Sequence, residues 1–416
     1  MDLIDEIERR AFQFFWEQAD PNTGLINDRA GNFGPDDYSS RHSEATADTV
    51  ASIAATGYGL AALPIGIERG WVDHDQAVSR ARVTLEFSLT LAHQHGWIVH
   101  FVDKRTGERV WQSEFSTIDT VLLVAGALAA GQYFAARVPE IAALSDQLYR
   151  RLDWWWVLTN DGTQPDKRMV SQGTRLESGF ITNNWWDYSE AVLLYLLGLG
   201  APEKPLPDTS WESFERPLEK YGGLEWLRAG PIFIHQMPYG YFNLRNQRDR
   251  LGFDYWLSSI NAMKINRRFC RYRAKKRKTY AEGFWGLNAS DGPDGYKPYG
   301  VAGDPEDGTI SPTGAIASII FTPDLAMSVA QAMYEKDGGA LWGKYGFTNA
   351  FNVDRNWHSP DVIGIDLGMA LLAIENYRSG LIWKLMSGFD GTARALAAAG
   401  FRENGEAGVR LVSSKQ

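Results

Sequence analysis

Residues 120–130, 191–199 and 367–374 are apolar on every side of a helix. A helix without a polar face must be buried, and these runs are too short to cross a bilayer, so protein has to surround them. Other helical segments keep one wet face. In residues 73–93, Asp75, Gln76, Ser79, Arg80 and Arg82 share a side, as in a helix lying over a core. Buried and half-exposed helices that alternate along a chain call for two layers of helix, one enclosed by the other.

The 3.6-residue period supports this reading over most of the chain. It predicts helices at 2–18, 45–67, 73–93, 116–136, 142–158, 188–199, 253–279, 312–319, 322–334, 363–379 and 392–400. Strand-like runs are few and short, at 97–102 and 231–236. With short helices included the total is about a dozen, which suits an all-α (α/α)6 toroid, although a two-layer helical array would give the same pattern. No linker composition interrupts residues 1–416, so a single domain is expected. Long connections rich in glycine and aromatics, at 22–43, 96–114, 160–186, 283–311 and 346–364, are where function is expected.

A net charge of −9 disfavours nucleic acid and anionic membrane as main partners, since both need a positive field, and leaves a neutral ligand as the better fit. The local exception is residues 264–278, with Arg267, Arg268, Arg271, Arg273, Lys275, Lys276 and Arg277. It reads as a solvated helix face, with an anionic partner as the alternative. The lone Cys270 permits no internal disulfide. The acidic, amphipathic first residues lack the pattern of a secretory leader, so the expected compartment is the cytoplasm, or the periplasm if a leader has been removed. Oligomeric state is not legible.

Each apolar helix opens with acid. Glu114 and Asp119 precede the first, Asp187 and Glu190 the second, and Asp366 the third. Carboxylates at the N-terminal ends of central helices face one end of a ring. Glycoside hydrolysis needs such a set: one carboxyl group protonates the leaving oxygen while another activates water or attacks carbon. The competing explanation is structural, because Ser116 with Asp119 and Asp187 with Glu190 both have capping-box spacing. Trp111, Trp185, Trp186 and Tyr188 crowd the same turns and offer flat faces for sugar rings. No metal is expected, since none of the seven histidines stands in a recognised ligand spacing. No nucleotide loop or serine-hydrolase elbow appears either, and no cofactor is expected.

Several loops then carry a resemblance. Residues 24–29 (Gly-Leu-Ile-Asn-Asp-Arg), 51–60, 113–120 (Ser-Glu-Phe-Ser-Thr-Ile-Asp-Thr), 188–190 (Tyr-Ser-Glu), 285–293, 307–313 and 374–378 (Ile-Glu-Asn-Tyr-Arg) resemble, in this order, the glucoamylase-like domain family. Within it the chain is most similar to the bacterial endo-β-1,2-glucanases of glycoside hydrolase family 144. The resemblance implies an (α/α)6 barrel and an anomer-inverting hydrolase of β-1,2-glucan or its oligosaccharides. A transglycosylase or cyclase on the same fold, or a non-catalytic glycan binder, are the alternatives.

Residue by residue, the resemblance makes Glu190 the general acid, because it matches the glutamate of Tyr-Ser-Glu. Glu114, Asp119 and Asp366 compete for the base, with Asp366 preferred. Asp28, Arg29, Trp285, Asp291, Asp307, Glu375 and Arg378 fall in the shared motifs and are expected to bind substrate, together with Trp111, Trp185, Trp186, Asp187 and Tyr188. Two segments depart from the family pattern. Asn243 stands where an aspartate is usual, and Leu367 and Met369 flank Asp366 where glutamine and proline are usual.

Overall fold

Gly57 and Gly126 bring two central helices into backbone contact. A Cβ on Gly126 would lie 1.8 Å from the Gly57 carbonyl oxygen, and one on Gly57 would lie 2.3 Å from that of Leu122. The helices are α2 (Ile53–Glu68) and α4 (Thr117–Phe134), and both are buried along nearly their whole length. The computed structural model describes residues 2–34, 49–159, 168–301, 303–336 and 339–404.

Among these residues an inner ring can be followed from α2 to α4, then α7 (Ala191–Leu199) and the consecutive 3-10 turns Ile232–His235 and Met237–Gly240. It continues through α10 (Pro312–Ile316), running into a further 3-10 turn at Ala317–Ile320, and closes with α12 (Gly364–Arg378) against α2. Outside it lie α1 (Leu3–Glu17), α3 (His74–Thr90), α5 (Pro139–Arg150), α8 (Tyr255–Arg273), α11 (Pro323–Glu335), and α13 (Leu381–Ser387) with α14 (Asp390–Ala399). The chain thus alternates outer and inner positions except between α7 and the turns at 232–240, and α14 packs on α7. This is the all-α (α/α)6 toroid expected from the sequence. Helix α4 has the length and apolarity of a membrane span, yet 83% of that window is buried in protein, as an inner-ring helix must be.

Boundaries differ from expectation where the chain breaks its own pattern. The segment 142–158 is two helices, α5 and α6 (Trp154–Thr159), separated at Arg151–Asp153. The basic segment ends as α8 at Arg273, and the short α9 (Lys278–Ala281) follows. The strand-like run 231–236 is an inner-ring 3-10 turn instead. Pro231 and Pro238 start successive turns, and the alternating Ile-Phe-Ile is an accident of a tight helix in which buried Ile232 and His235 are one turn apart. Of the helix expected at 45–67, residues 45–48 lie outside the described residues and the helix itself starts at Ile53.

Short antiparallel ribbons frame the N-terminal ends of the inner helices. Val50–Ser52, just before α2, pairs with Phe101–Asp103. Phe115–Ser116, just before α4, pairs with Gly173–Arg175, and Asp361–Ile363, just before α12, pairs with Arg29–Gly31. These pairings hold the loop residues over one end of the ring.

Candidate active site

A cavity of about 410 Å³ opens at that end, in the size range of small-ligand sites. Glu190, Asp366, Asp119, Asp28, Arg29 and His100 supply its polar lining, and Phe101, Phe233, Tyr296, Met237 and Met369 are among its apolar and aromatic walls.

The capping question now has an answer for each helix. Ser116 caps α4: its hydroxyl accepts from the Asp119 N–H at 3.3 Å and donates to Asp119 Oδ2 at 2.5 Å. Neither of the other helices is capped in this way. Glu190 precedes α7 without any side-chain cap bond, and Asp366 lies in the first turn of α12 behind Ile363, which has no capping group. Two carboxyl groups are therefore left for the cavity.

Their surroundings shift both in the same direction. Burial pushes the Glu190 carboxyl up to about 7, and the negative charges of Asp119 and Asp187 add to the effect. Burial likewise pushes Asp366 up to about 7. The Asn349 hydrogen bond opposes the rise, Asp291 and Asp28 reinforce it, and Arg29 opposes it. Asn349 donates its side-chain N–H to Asp366 Oδ2 at 2.6 Å, while among the described residues none donates to Oδ1. The side-chain oxygen of Asn349, Oδ1, in turn accepts the Asp291 backbone N–H at 2.8 Å.

Arg29 ties this wall together. It lies 3.3 Å from Asp28 and Asp291 and 3.9 Å from Asp361, and Ser359 donates a further bond to Asp291 at 3.0 Å. His100, also in the lining, stands between two acids, with Nδ1 3.1 Å from Glu114 and Nε2 3.4 Å from Asp119. The His100 hydrogen bond holds the Glu114 carboxyl down at about 2. Burial works against a charged His100, but Asp119 and Glu114 outweigh it and raise its pKa. His100, Glu114 and Asp119 are also a set whose ligand atoms converge within 4.8 Å, as a metal would need. Each imidazole nitrogen of His100 already faces one of the two carboxylates, so the three side chains satisfy one another's polar atoms.

Not every expected binding residue comes to the cavity. Trp111 is 59% exposed and packs edge-on against Phe101, which puts it at the rim, and Trp186 is half exposed on the loop carrying Asp187. Trp185, Tyr188 and Trp285 are buried in the core. The Trp185 indole donates to Thr117 Oγ1 at 3.0 Å, and the Tyr188 hydroxyl bonds to His235 Nδ1 at 3.1 Å. Asp307 organises a turn by accepting from the Thr309 N–H and the Tyr299 hydroxyl.

Glu375 and Arg378 share α12 with Asp366 but are more than two turns farther along it. There Arg69 lies 2.7 Å from Glu375 and Arg378 lies 2.5 Å from both Glu8 and Asp5, a cluster that ties α1, α2 and α12 together. His100, Asn349 and Tyr296 were not anticipated. They come from loops far apart in sequence, and no local spacing marks them; the acid pair Glu114 and Asp119 flanking a helix start was the signal nearest to His100.

The model of the family described as putative glucoamylase matches residues 182–389, half of the chain, including Glu190 and Asp366. This chain belongs to that family. Similar solved structures share the toroid closely. A putative glucoamylase from Bacteroides caccae is 28% identical and superposes with a TM-score of 0.88 over 97% of this chain and 99% of its own. An endo-β-1,2-glucanase from Chitinophaga pinensis, solved with sophorotriose and glucose, is 25% identical with a TM-score of 0.87, covering 96% of this chain and 98% of its own. An exo-β-1,2-glucooligosaccharide sophorohydrolase (non-reducing end) from Parabacteroides distasonis is 28% identical over 92% of this chain. The chain spans 56% of that relative's own length.

Proposed function

We propose that this protein is a glycoside hydrolase that cleaves β-1,2-linked glucan or gluco-oligosaccharides, with Glu190 as general acid, Asp366 as general base and water as the nucleophile. One observation carries the reading: Glu190 and Asp366 line the same cavity from the ends of two inner helices, neither is used in helix capping, and both carboxyl groups hold a proton up to about 7. An acid that is still protonated near neutrality can protonate the leaving glycosidic oxygen, and a base in that range is matched to taking a proton from water.

Asp366 suits the base better than its rivals. Both Asp119 oxygens already face partners, Ser116 and His100, and Glu114 is too acidic in its contact with His100 to accept a proton effectively. Asp366 has one oxygen fixed by Asn349, and among the described residues the other has no donor. In this scheme Glu190 gives its proton to the departing oxygen while Asp366 takes one from water, so the water hydroxyl bonds to the anomeric carbon as the glycosidic bond breaks. The acids end with exchanged protonation and return to the starting state through solvent. The named activities of the Chitinophaga and Parabacteroides relatives support the β-1,2 linkage, and they differ in endo or exo action.

The test is to incubate the protein with linear β-1,2-glucan, laminari-oligosaccharides and cello-oligosaccharides, following reducing ends and the anomeric form of the first product by NMR. New reducing ends as α-anomers from the β-1,2 substrate are expected. β-Anomers would overturn inversion, and longer or cyclic products without new reducing ends would make the protein a transferase. Glu190→Gln should lower kcat by about 10²–10⁴-fold with the fold intact; unchanged turnover would remove Glu190 from the scheme.

A further inference from the structure

The basic stretch singled out in the sequence has no part in this chemistry, and the structure divides it. Arg273 and Arg277 turn to Glu306, at 3.4 and 2.9 Å. One turn earlier, Lys264, Arg267, Arg268 and Arg271 follow the i, i+3, i+4, i+7 spacing of a single helix face and line a groove of about 540 Å³. Leu224, Tyr272 and, from α11, Leu325 complete its lining. Arg268 reaches the Gly222 carbonyl. Among the described residues no carboxylate pairs with Lys264, Arg267, Arg268 or Arg271. The acids of the neighbouring hairpin are used elsewhere: Glu225 lies 2.9 Å from Lys220 and Glu219 lies 3.7 Å from Arg228.

This arrangement is costly unless something fills it. Like charges three and four residues apart destabilise a helix, and a chain with net charge −9 has acids in excess to neutralise them. A concave wall also focuses the field of its charges more than a convex surface does. The volume lies within the usual range of small-ligand sites. Guanidinium forks match the geometry of phosphate oxygens, and Leu224, Leu325 and the 69% exposed Tyr272 offer an apolar face beside them.

We propose that the groove between α8 and α11 binds a small organic phosphate ester, its phosphate held by Lys264, Arg267 and Arg271 and its organic part resting on Leu224, Leu325 and Tyr272. A phosphorylated sugar and a nucleoside monophosphate share this chemistry. The groove has no lining residue in common with the glucan cavity, so the proposal stands apart from the hydrolase reading.

Isothermal titration of the full chain with glucose 6-phosphate and with adenosine monophosphate tests it, alongside Arg267→Ala/Arg271→Ala and the milder Arg271→Gln. Any binding in the glucan cavity is common to all three proteins and cancels in the comparison. Saturable binding of either ester is expected, with affinity reduced at least about tenfold in the double variant and by less in the single one. The ester that binds tells sugar phosphate from nucleotide. Glucan hydrolysis should be unchanged in both variants. The proposal is overturned if neither ester binds saturably, if the double variant binds as well as the parent, or if only a long polymer such as polyphosphate is retained.

Discussion

Asn349→Ala isolates the group that sets the acidity of the proposed base. Asn349 is 1% exposed, and its amide donates to Asp366 Oδ2 at 2.6 Å, a bond that favours the ionised form. Hydrogen bonds to charged groups contribute about 1.5–3 kcal/mol. At about 1.4 kcal/mol per pKa unit, the substitution should lift Asp366 by about one to two units above its present value. The base must be ionised while Glu190, also near 7, stays protonated, so the two groups together set the limbs of the kcat/KM profile.

With the base raised above the acid, the acidic limb stays near 7 and the alkaline limb moves toward about 8–9, with rates on the acid side depressed by about 10–100-fold and approaching those of the parent above the alkaline limb. The assay is reducing-end release from a β-1,2-gluco-oligosaccharide across the pH range, with circular dichroism to confirm folding. A uniform loss of rate at every pH, with the alkaline limb unmoved, would refute the reasoning. It would mean that Asn349 holds loops in place without tuning Asp366, or that Asp366 is not the base.

Two further predictions concern stability. Burial and the neighbouring Glu375 push the Glu8 carboxyl up to about 8 from its ordinary 4.5. The folded state therefore binds this proton more tightly than the unfolded one, and the associated stability, on the order of a few kcal/mol, is present below pH 4.5 and lost as pH rises through about 8. Glu8→Gln keeps the neutral form at every pH, so its melting temperature should fall less steeply than that of the parent between those limits; parallel curves by calorimetry would count against the buried proton. Gly126→Ala puts a methyl group 1.8 Å from the Gly57 carbonyl, so α2 and α4 must separate, at a cost of at least about 1–3 kcal/mol measured by chemical denaturation. A variant as stable as the parent would show that the contact is not tight.

The toroid was legible because its inner helices have no polar face, a property that composition and period display directly. The inner position at 232–240 was not, since prolines at 231 and 238 reduce it to 3-10 turns with no 3.6-residue signal. For the site, the sequence placed acids at helix starts but could not separate caps from free carboxylates. Ser116 with Asp119 is a cap, whereas Asp187 with Glu190 has the same spacing and is not. Motif membership misdirected the reading at Glu375 and Arg378, because a shared helix brings residues to one axis and not to one end. His100 and Asn349 belong to contacts made by ribbons and loops remote in sequence, which periodicity does not record.

The meeting of Gly57 and Gly126 also bears on how such a protein diversifies. With two staves of the hoop in backbone contact one to two turns along α4 from Asp119, the ring near the opening has little slack to widen for a bulkier ligand. Changes in the length or position of glucan accepted must then come from the loops laid over the rim, which can be exchanged while the hoop stays as it is. Activities as different as trimming chain ends and cutting mid-chain can thus share one frame.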